Sequence, residues 1–328
     1  TYAPSTKPRK MTLYSRNGLL PRVRGKIGEY RNTLLTTESL NRLITKNKGQ
    51  LHLNEVFSLL DAEMQKVYGR SIDWMDILKP PDAARNYLAR HLKEAQDGDG
   101  PEGELLWLTV LHQIIPMARD IYINLTLQER LRFERHYSTV FFSHAATQPT
   151  INAEKLLALM QTGSVSIIKL GDDYLFDHNE TTNEFQFIYK SPAGHPRCDS
   201  YRYVVNARGQ PRSLDSDTAA LTLNLLQNKL IQVSEIRPAK TAEHSSYDTG
   251  SIVVDPETHQ VIRPGSGCTS SSHPPIFAVG AMTRGQMIDA SMAHGIARST
   301  DVIADYILNK FTPARIMRQN DGMEAQNH

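Results

Sequence analysis

Two glycines near the carboxyl end of the chain lie in a pattern that could bind an anion. The short apolar run of residues 276–279 is stopped by Gly280, and Gly285 follows five residues later, before a long helical pattern that ends near Asn309. A strand, a glycine turn and a helix together present backbone N–H groups and a positive helix end to a phosphate or a flavin. An ordinary strand-to-helix connection has the same pattern, since single glycines are common in turns.

Cationic side chains form a second group of candidate residues. Residues 127–142 have a helical pattern that carries Arg132, Arg135 and His136. Arg132 and His136 are four residues apart, so they share a helix face, and Arg135 lies beside them. Together with His144 they could form a cationic pocket for an anionic substrate. The alternative is a basic helix face exposed to solvent.

A third candidate is a strand end near the start of the chain. Residues 9–16, RKMTLYSR, predict a strand that ends at Ser15 and Arg16. In NADP-binding Rossmann units the second strand ends where the ribose 2′-phosphate binds, and the planar fork of arginine suits phosphate oxygens. The glycine-rich fingerprint expected upstream in such a unit is absent from the residues before Ser15. The alternative is a solvated strand end that happens to carry an arginine.

The bulk composition limits the classes of partner. The chain has 328 residues and a net charge of +2, so no polyanionic partner such as nucleic acid is indicated. It has no apolar run of about 18 residues, which a membrane-spanning helix would need, and no signal-peptide pattern. Its two cysteines, Cys198 and Cys268, form neither a metal motif nor a disulfide framework. We therefore expect a cytoplasmic protein that has no metal and acts on a small molecule.

Periodicity and turn residues predict the order of the elements. We expect helices over residues 37–70, 83–95, 104–123, 127–142, 150–161 and 214–229. We expect strands over residues 9–16, 164–170, 185–189, 201–206, 251–254 and 260–262.

Several motifs in the same order resemble a bacterial FAD/NAD(P)-binding flavoprotein family. Residues 15–22, SRNGLLPR, are similar to its SRxGLLP signature. Further similar segments are residues 73–80 (DWMDILKP), 130–136 (RLRFERH), 250–262 (GSIVVDPETHQVI) and 279–285 (VGAMTRG). The family includes flavin-dependent urate hydroxylase-like and aspartate N-monooxygenase-like enzymes. The resemblance implies an α/β fold, namely the C-terminal portion of a two-dinucleotide-binding, Rossmann-type flavoprotein with a largely helical insertion.

The resemblance also implies cofactors and contact residues. FAD would lie against Gly280, Ala281, Met282 and Gly285, and NADPH against Ser15 and Arg16. The basic helix with Arg132, Arg135, His136 and His144 would bind the substrate. The family often has an acidic residue where this chain has Ala281. No catalytic side chain is expected, because the flavin supplies the chemistry and the protein positions the reactants.

The expected organisation follows from the same resemblance. The segments are a remnant of the NAD(P)-binding unit (1–30), a helical insertion (31–150), the rest of the NAD(P)-side domain with its return strand (151–248), the C-terminal part of the FAD domain (249–312) and a polar tail (313–328). The chain would then be a fragment or a truncated homologue, and catalysis by it alone is not expected.

Three functional hypotheses remain open at this point. The first is part of an FAD- and NAD(P)H-dependent monooxygenase that hydroxylates a small polar substrate. The second is a flavin-dependent reductase or dehydrogenase that inserts no oxygen. The third is a truncated homologue without catalytic activity.

Overall fold

The computed structural model describes residues 10–71, 73, 83–207, 213–236, 247–265 and 274–311. Helices and small sheets combine in a mixed α/β structure, which confirms the expected α/β class. The chain divides into two compact units. The first unit comprises Thr1–Met117 and Glu129–Arg208, and the second comprises Ala118–Gln128 and Gly209–His328.

The described helices are α1 (Thr37–Lys46), α2 (Leu53–Tyr68), α3 (Ala84–Asp97), α4 (Leu106–His112), α5 (Ala118–Asn124), α6 (Leu127–Arg132), α7 (Ser138–Ala145), α8 (Thr150–Gln161), α9 (Ala220–Gln227) and α10 (Ala293–Phe311). The strands are β1 (Met11–Ser15), β2 (Val165–Lys169), β3 (Tyr174–Asn179), β4 (Glu184–Lys190), β5 (Pro196–Tyr201), β6 (Val233–Ile236) and β7 (Tyr247–Ile252). None of the described helices is both long and apolar enough to cross a membrane.

The strands form three small sheets. Strands β1 and β2 pair in parallel, with Met11 opposite Val165 and Ser15 opposite Lys169. Strands β3, β4 and β5 form an antiparallel sheet in that order, and β6 pairs with β7 in antiparallel orientation. Parallel strands need a long crossover connection, and here the chain supplies the helices from α1 to α8 between β1 and β2.

Tyr14 of β1 joins the parallel pair to the antiparallel sheet within the first unit. Its ring stacks on Phe187 of β4 with a centroid distance of 4.4 Å. Its hydroxyl donates to Asp199 at 2.6 Å and lies 2.7 Å from the hydroxyl of Tyr201. Burial, followed by these bonds, raises the pKa of Tyr14 above its ordinary value. The tyrosine is therefore a neutral donor that anchors β1.

Each unit has its own apolar core. In the first unit the core packs α3 and α8 around Leu88, Leu92 and Ala153, with Val23 and Leu105 from the neighbouring segments. In the second unit the core comprises Leu214, Ile231, Val254, Val261, Met287 and Ala290. Apolar burial of this kind is the main favourable contribution to folding.

Two predicted helices are interrupted, each for a local reason. The pattern over residues 37–70 divides into α1 and α2, because Lys48 and Gly49 adopt positive φ angles of 55° and 90°. The pattern over residues 104–123 is interrupted after His112 by a 3₁₀ helix that contains Pro116. Proline lacks an N–H and its ring clashes with the preceding helical turn.

The strand predicted over residues 201–206 lies earlier, as β5, and ends at Tyr201. Residues 203–207 are irregular, and Tyr203 and Val205 are 85% and 88% exposed. Their β-branched and aromatic character predicted a strand, but β-propensity depends on a neighbouring strand and a packed face. The predicted helix over 214–229 is likewise shorter, with a 3₁₀ turn at Leu214–Ser216 before α9.

Candidate functional site

A partly buried cluster of charged and aromatic side chains lies in the first unit. Arg22, in the loop after β1, donates through Nη2 to both oxygens of Glu94 on α3, at 2.9 and 2.7 Å. The Arg22 guanidinium lies over the ring of Trp107 on α4, 4.7 Å from its centroid. The Trp107 Nε1–H donates to Glu94 at 3.1 Å. We call Arg22, Glu94, Trp107, His91 and His144 the Arg22 cluster.

Glu94 is ionised in this cluster. Burial alone would raise the pKa of its carboxyl, but the hydrogen bond from His91 and the charge of Arg22 hold that pKa below its ordinary value. The Arg22 and Glu94 side chains are only 13% and 31% exposed. Further hydrogen bonds help to offset the cost of withdrawing such a partly buried ion pair from water, and here His91 and Trp107 supply them to Glu94.

His144 is a neutral hydrogen-bond acceptor. Its Nδ1 lies 2.8 Å from the carbonyl oxygen of Val140, so Nδ1 carries the proton. The opposite nitrogen, Nε2, then accepts from Arg22 Nη1 at 3.3 Å. Burial and the nearby Arg22 charge lower the pKa of His144 to about 4. His144 therefore orients Arg22 and contributes no positive charge to an anion pocket at neutral pH.

The other three predicted substrate residues lie outside the Arg22 cluster. Arg132 donates to Asn54 at 3.0 Å and to the hydroxyl of Tyr137 at 3.2 Å. Arg135 and His136 are exposed. Residues Phe133–Tyr137 form a π-helical turn, whose wider spacing does not stack side chains four residues apart as an α-helix does. Only His144, of the four predicted substrate residues, joins the Arg22 cluster.

Ser15 and Arg16 lie at the carboxyl end of β1, beside the end of β2. The Ser15 side chain accepts from the backbone N–H of Gly18 at 2.9 Å, which shapes the turn. The Arg16 side chain is 67% exposed and lies 3.7 Å from Asp172, which is 89% exposed. The two strands form a two-stranded parallel pair, and the phosphate contact of Arg16 stays a prediction.

The Gly280 turn belongs to the second unit. Gly280 has a φ of +90°, and no described atom outside its two chain neighbours lies within 4 Å of where its Cβ would be. Ala281 and Met282 follow in a single 3₁₀ turn, Ala281–Thr283. Met282 packs against the apolar core of the second unit. The open side of this turn is therefore at Gly280.

At position 285, glycine is needed for a different reason. A Cβ at this position would collide with the side-chain oxygens of Thr249 and Ser251 on β7. The residue allows the turn to approach the strand closely. The helix expected directly after Gly285 begins only at Ala293. Residues 284–292 form successive turns in which four consecutive residues, 287–290, are buried, and a single face of a surface helix cannot bury four consecutive residues.

Residues 98–103 match the letters of a G-x-G-x-x-G fingerprint, but they connect two helices, α3 and α4. The N–H groups of Asp99 and Gly100 both donate to the carbonyl of Glu104, and that of Gly103 donates to Gly100. The Asp99 carboxylate accepts from the Leu106 N–H and from the Tyr68 hydroxyl. Because these groups bond within the loop and its neighbours, the segment has a structural role.

The structure adds Arg22, His91, Glu94 and Trp107 to the residues that sequence patterns singled out. Arg22 closes the SRNGLLPR segment, and His91 and Glu94 are three residues apart on a predicted helix, which is the available signal in the sequence. Among the described residues, no group of three or more His, Cys, Asp or Glu side chains is placed to hold a metal ion. Cys198 is an exposed free thiol, whereas Cys268 lies outside the described residues, as do residues 74–80 of the DWMDILKP segment.

Comparison with known proteins gives a distant relative but no matching family model. No family model matches the chain. An uncharacterized protein, YdhS of Escherichia coli (strain K12), is 26% identical over 217 residues, which cover 61% of this chain and 39% of that protein. The chain therefore matches about two fifths of the length of this relative.

Proposed function

We propose that the chain is part of an FAD- and NADPH-dependent oxidoreductase, a monooxygenase that hydroxylates a small polar substrate. The observation that carries the proposal is the open Gly280 turn. Its φ of +90° favours glycine, and no other part of the chain that the structure describes fills the space beside its Cα. A backbone without a side chain at such a turn lets a large planar or phosphorylated cofactor approach closely.

The residues present fit an FAD contact at Gly280 better than at Gly285. Gly280 leaves room for a ligand, whereas Thr249 and Ser251 already fill the space beside Gly285. Ala281 adds only a methyl group and no charge. The protein would thus hold the flavin there through backbone N–H groups and shape, and bound FAD would supply the redox chemistry.

Arg16 is the residue we assign to the 2′-phosphate of NADPH. Its partner Asp172 is exposed and distant for an ion pair, and such pairs contribute about 0–1 kcal/mol. We expect a phosphate to displace this contact, because it can accept two parallel hydrogen bonds from the guanidinium fork, whereas Asp172 makes one approach at 3.7 Å.

The first experiment measures FAD binding by the change in flavin absorbance and fluorescence. We expect FAD to bind the wild-type chain and to bind the Gly280→Ala variant about tenfold more weakly. Gly265→Ala is the matched control, because Gly265 also has a positive φ, of +75°, and no described atom near its Cβ position. Both substitutions place a Cβ at a positive φ angle, so a loss of FAD affinity that only Gly280→Ala shows reports the FAD contact. FAD that remains unperturbed by the wild-type chain would overturn the proposal.

The second experiment compares NADPH with NADH. In Arg16→Gln we expect NADPH to bind about tenfold more weakly and NADH to bind as before, since only NADPH carries the additional phosphate. Arg42→Gln, an exposed arginine on α1, is the control. Equal losses for the two nucleotides would remove Arg16 from the assigned role. In the whole oxidoreductase of which we propose that the chain is part, hydroxylated product, as opposed to NADPH oxidation without product, separates a monooxygenase from a reductase.

A further inference from the structure

Glu94 holds the imidazole of His91 in one orientation. The Nδ1 atom of His91 lies 2.8 Å from Oε2 of Glu94. The ring of Tyr87 packs edge-to-face against the imidazole, 4.2 Å between centroids. The His91 side chain is only 6% exposed. One carboxylate bond and one aromatic contact therefore fix a buried ring.

This arrangement also determines which ring nitrogen carries the proton. Glu94 is ionised and can only accept, so Nδ1 of His91 must be the donor. Burial, and then the charges of Arg22 and Arg90, outweigh Glu94 and lower the pKa of His91, so its ring is neutral at neutral pH. The lone pair of Nε2 is consequently available as an acceptor.

Two polar atoms of the cluster have no hydrogen-bond partner among the described residues. One is the buried His91 Nε2, an acceptor, and the other is the buried Arg22 Nε, a donor. A buried polar atom left unsatisfied costs about 1–3 kcal/mol. The two side chains bond the same oxygen of Glu94, at 2.8 and 2.7 Å, so the two unsatisfied atoms belong to one hydrogen-bonded cluster.

We propose that His91 and Arg22 form a ligand subsite for a small molecule that carries a hydroxyl or N–H donor next to a carboxylate or carbonyl oxygen. The donor of the ligand bonds His91 Nε2, and its oxygen accepts from Arg22 Nε. Trp107 packs against Arg22, and Tyr87 packs against His91. This subsite lies in the first unit and does not depend on the proposed FAD or NADPH contacts.

The test uses glycolate and acetate as probes on the full chain. Both are small carboxylates, but only glycolate has a hydroxyl donor next to the carboxylate. The imidazole nitrogen resonances of isotope-labelled histidine are recorded during each titration and assigned with His91→Gln. We expect glycolate to shift the His91 Nε2 resonance and to bind about tenfold more tightly than acetate, the worth of one hydrogen bond to a buried acceptor.

The variants separate a ligand contact from a general change in the fold. In His91→Gln the preference for glycolate should disappear, and in Glu94→Gln the fixed tautomer of His91 should be lost. His112→Gln, an exposed histidine on α4, should change neither result. The comparison of glycolate with acetate on the wild-type protein tests the proposal even if a variant fails to fold. Any one of three results would overturn the proposal: equal affinities for glycolate and acetate, a proton on His91 Nε2 in the free protein, or His91 resonances that respond to neither probe. A bound water would then be the hydrogen-bond partner of the two atoms.

Discussion

Glu63 on α2 is a fully buried carboxylate whose oxygens accept several donors at once. It accepts from the backbone N–H groups of Leu34 at 2.6 Å and Leu35 at 2.9 Å, from that of Thr33 at 3.0 and 3.2 Å, and from the hydroxyl of Tyr30. Burial alone would raise the pKa of Glu63, but the Tyr30 and backbone bonds hold it below its ordinary value. The charge therefore organises the loop before α1.

We predict that Glu63→Gln lowers the free energy of unfolding by about 3 kcal/mol, because an amide turns two N–H donors toward groups that themselves donate. Chemical denaturation measures the change. Glu180→Gln, an exposed residue in the β3–β4 turn, should change stability by less than about 0.5 kcal/mol. Equal effects of the two substitutions would show that the Glu63 bonds contribute little.

His144 makes the stability of the first unit depend on pH. Its pKa of about 4 in the folded protein lies below the ordinary value of 6.5, so the unfolded chain binds its proton more readily. Stability from this residue is complete above pH about 6.5 and is lost as the pH falls toward 4, by up to about 3 kcal/mol.

We predict that His144→Gln flattens the dependence of unfolding free energy on pH over this window, while His112→Gln leaves the slope unchanged. Denaturant titrations at a series of pH values measure it. An unchanged pH slope in His144→Gln would show that another group titrates. The other ionisable groups around the cluster are Glu94, His91, Tyr87, Arg22 and Arg90.

At the scale of elements, the segment between the Gly280 turn and α10 depends on close packing against β7. Gly285 lies against Thr249 and Ser251. The Gln286 side chain accepts from the backbone N–H of Val254 at 2.8 Å. Met287 is buried in the core of the second unit. These contacts stabilise a turn where helical periodicity predicted a helix.

We predict that Gly285→Ala lowers the free energy of unfolding of the second unit by about 2 kcal/mol, since an added methyl group overpacks this contact. Thr249→Ala in the same chain should restore part of the loss, because it removes one of the two colliding oxygens. A double-mutant cycle measures this coupling. Additive effects of the two substitutions would contradict the packing role.

At the scale of the whole molecule, the chain forms two units that each close an apolar core. The second unit takes residues 118–128 from between two parts of the first. Neither unit is therefore a continuous stretch of sequence. The resemblance, in contrast, predicts domains that are continuous in sequence, and those domains stay a prediction about a longer flavoprotein.

We predict that Glu63→Gln speeds amide hydrogen exchange mainly in the first unit and Gly285→Ala mainly in the second, because each core supports its own cooperative opening. Hydrogen exchange followed by mass spectrometry at peptide resolution measures both patterns in the intact chain. Uniform acceleration over all peptides in both variants would contradict separate opening.

Local patterns in the sequence determined much of the secondary structure. The strands at 164–170 and 185–189 are present as β2 and β4, the helices at 83–95 and 150–161 as α3 and α8, and Val254 pairs with Val261 in the predicted turn around Pro256. These elements follow from periodicity and turn residues, which act over a few neighbours. The α/β class was implied by the resemblance, and the observed helices and sheets agree with it.

Tertiary contacts decided the rest. The Arg22 cluster joins residues up to 122 positions apart in sequence, and a local sequence pattern cannot predict contacts over such a separation. Only the fold made His144 a neutral acceptor, separated it from Arg132, and distinguished the open glycine at 280 from the packed glycine at 285. The physical reason is that burial and hydrogen-bond partners set the charge and role of a side chain, and both depend on which distant segments pack together.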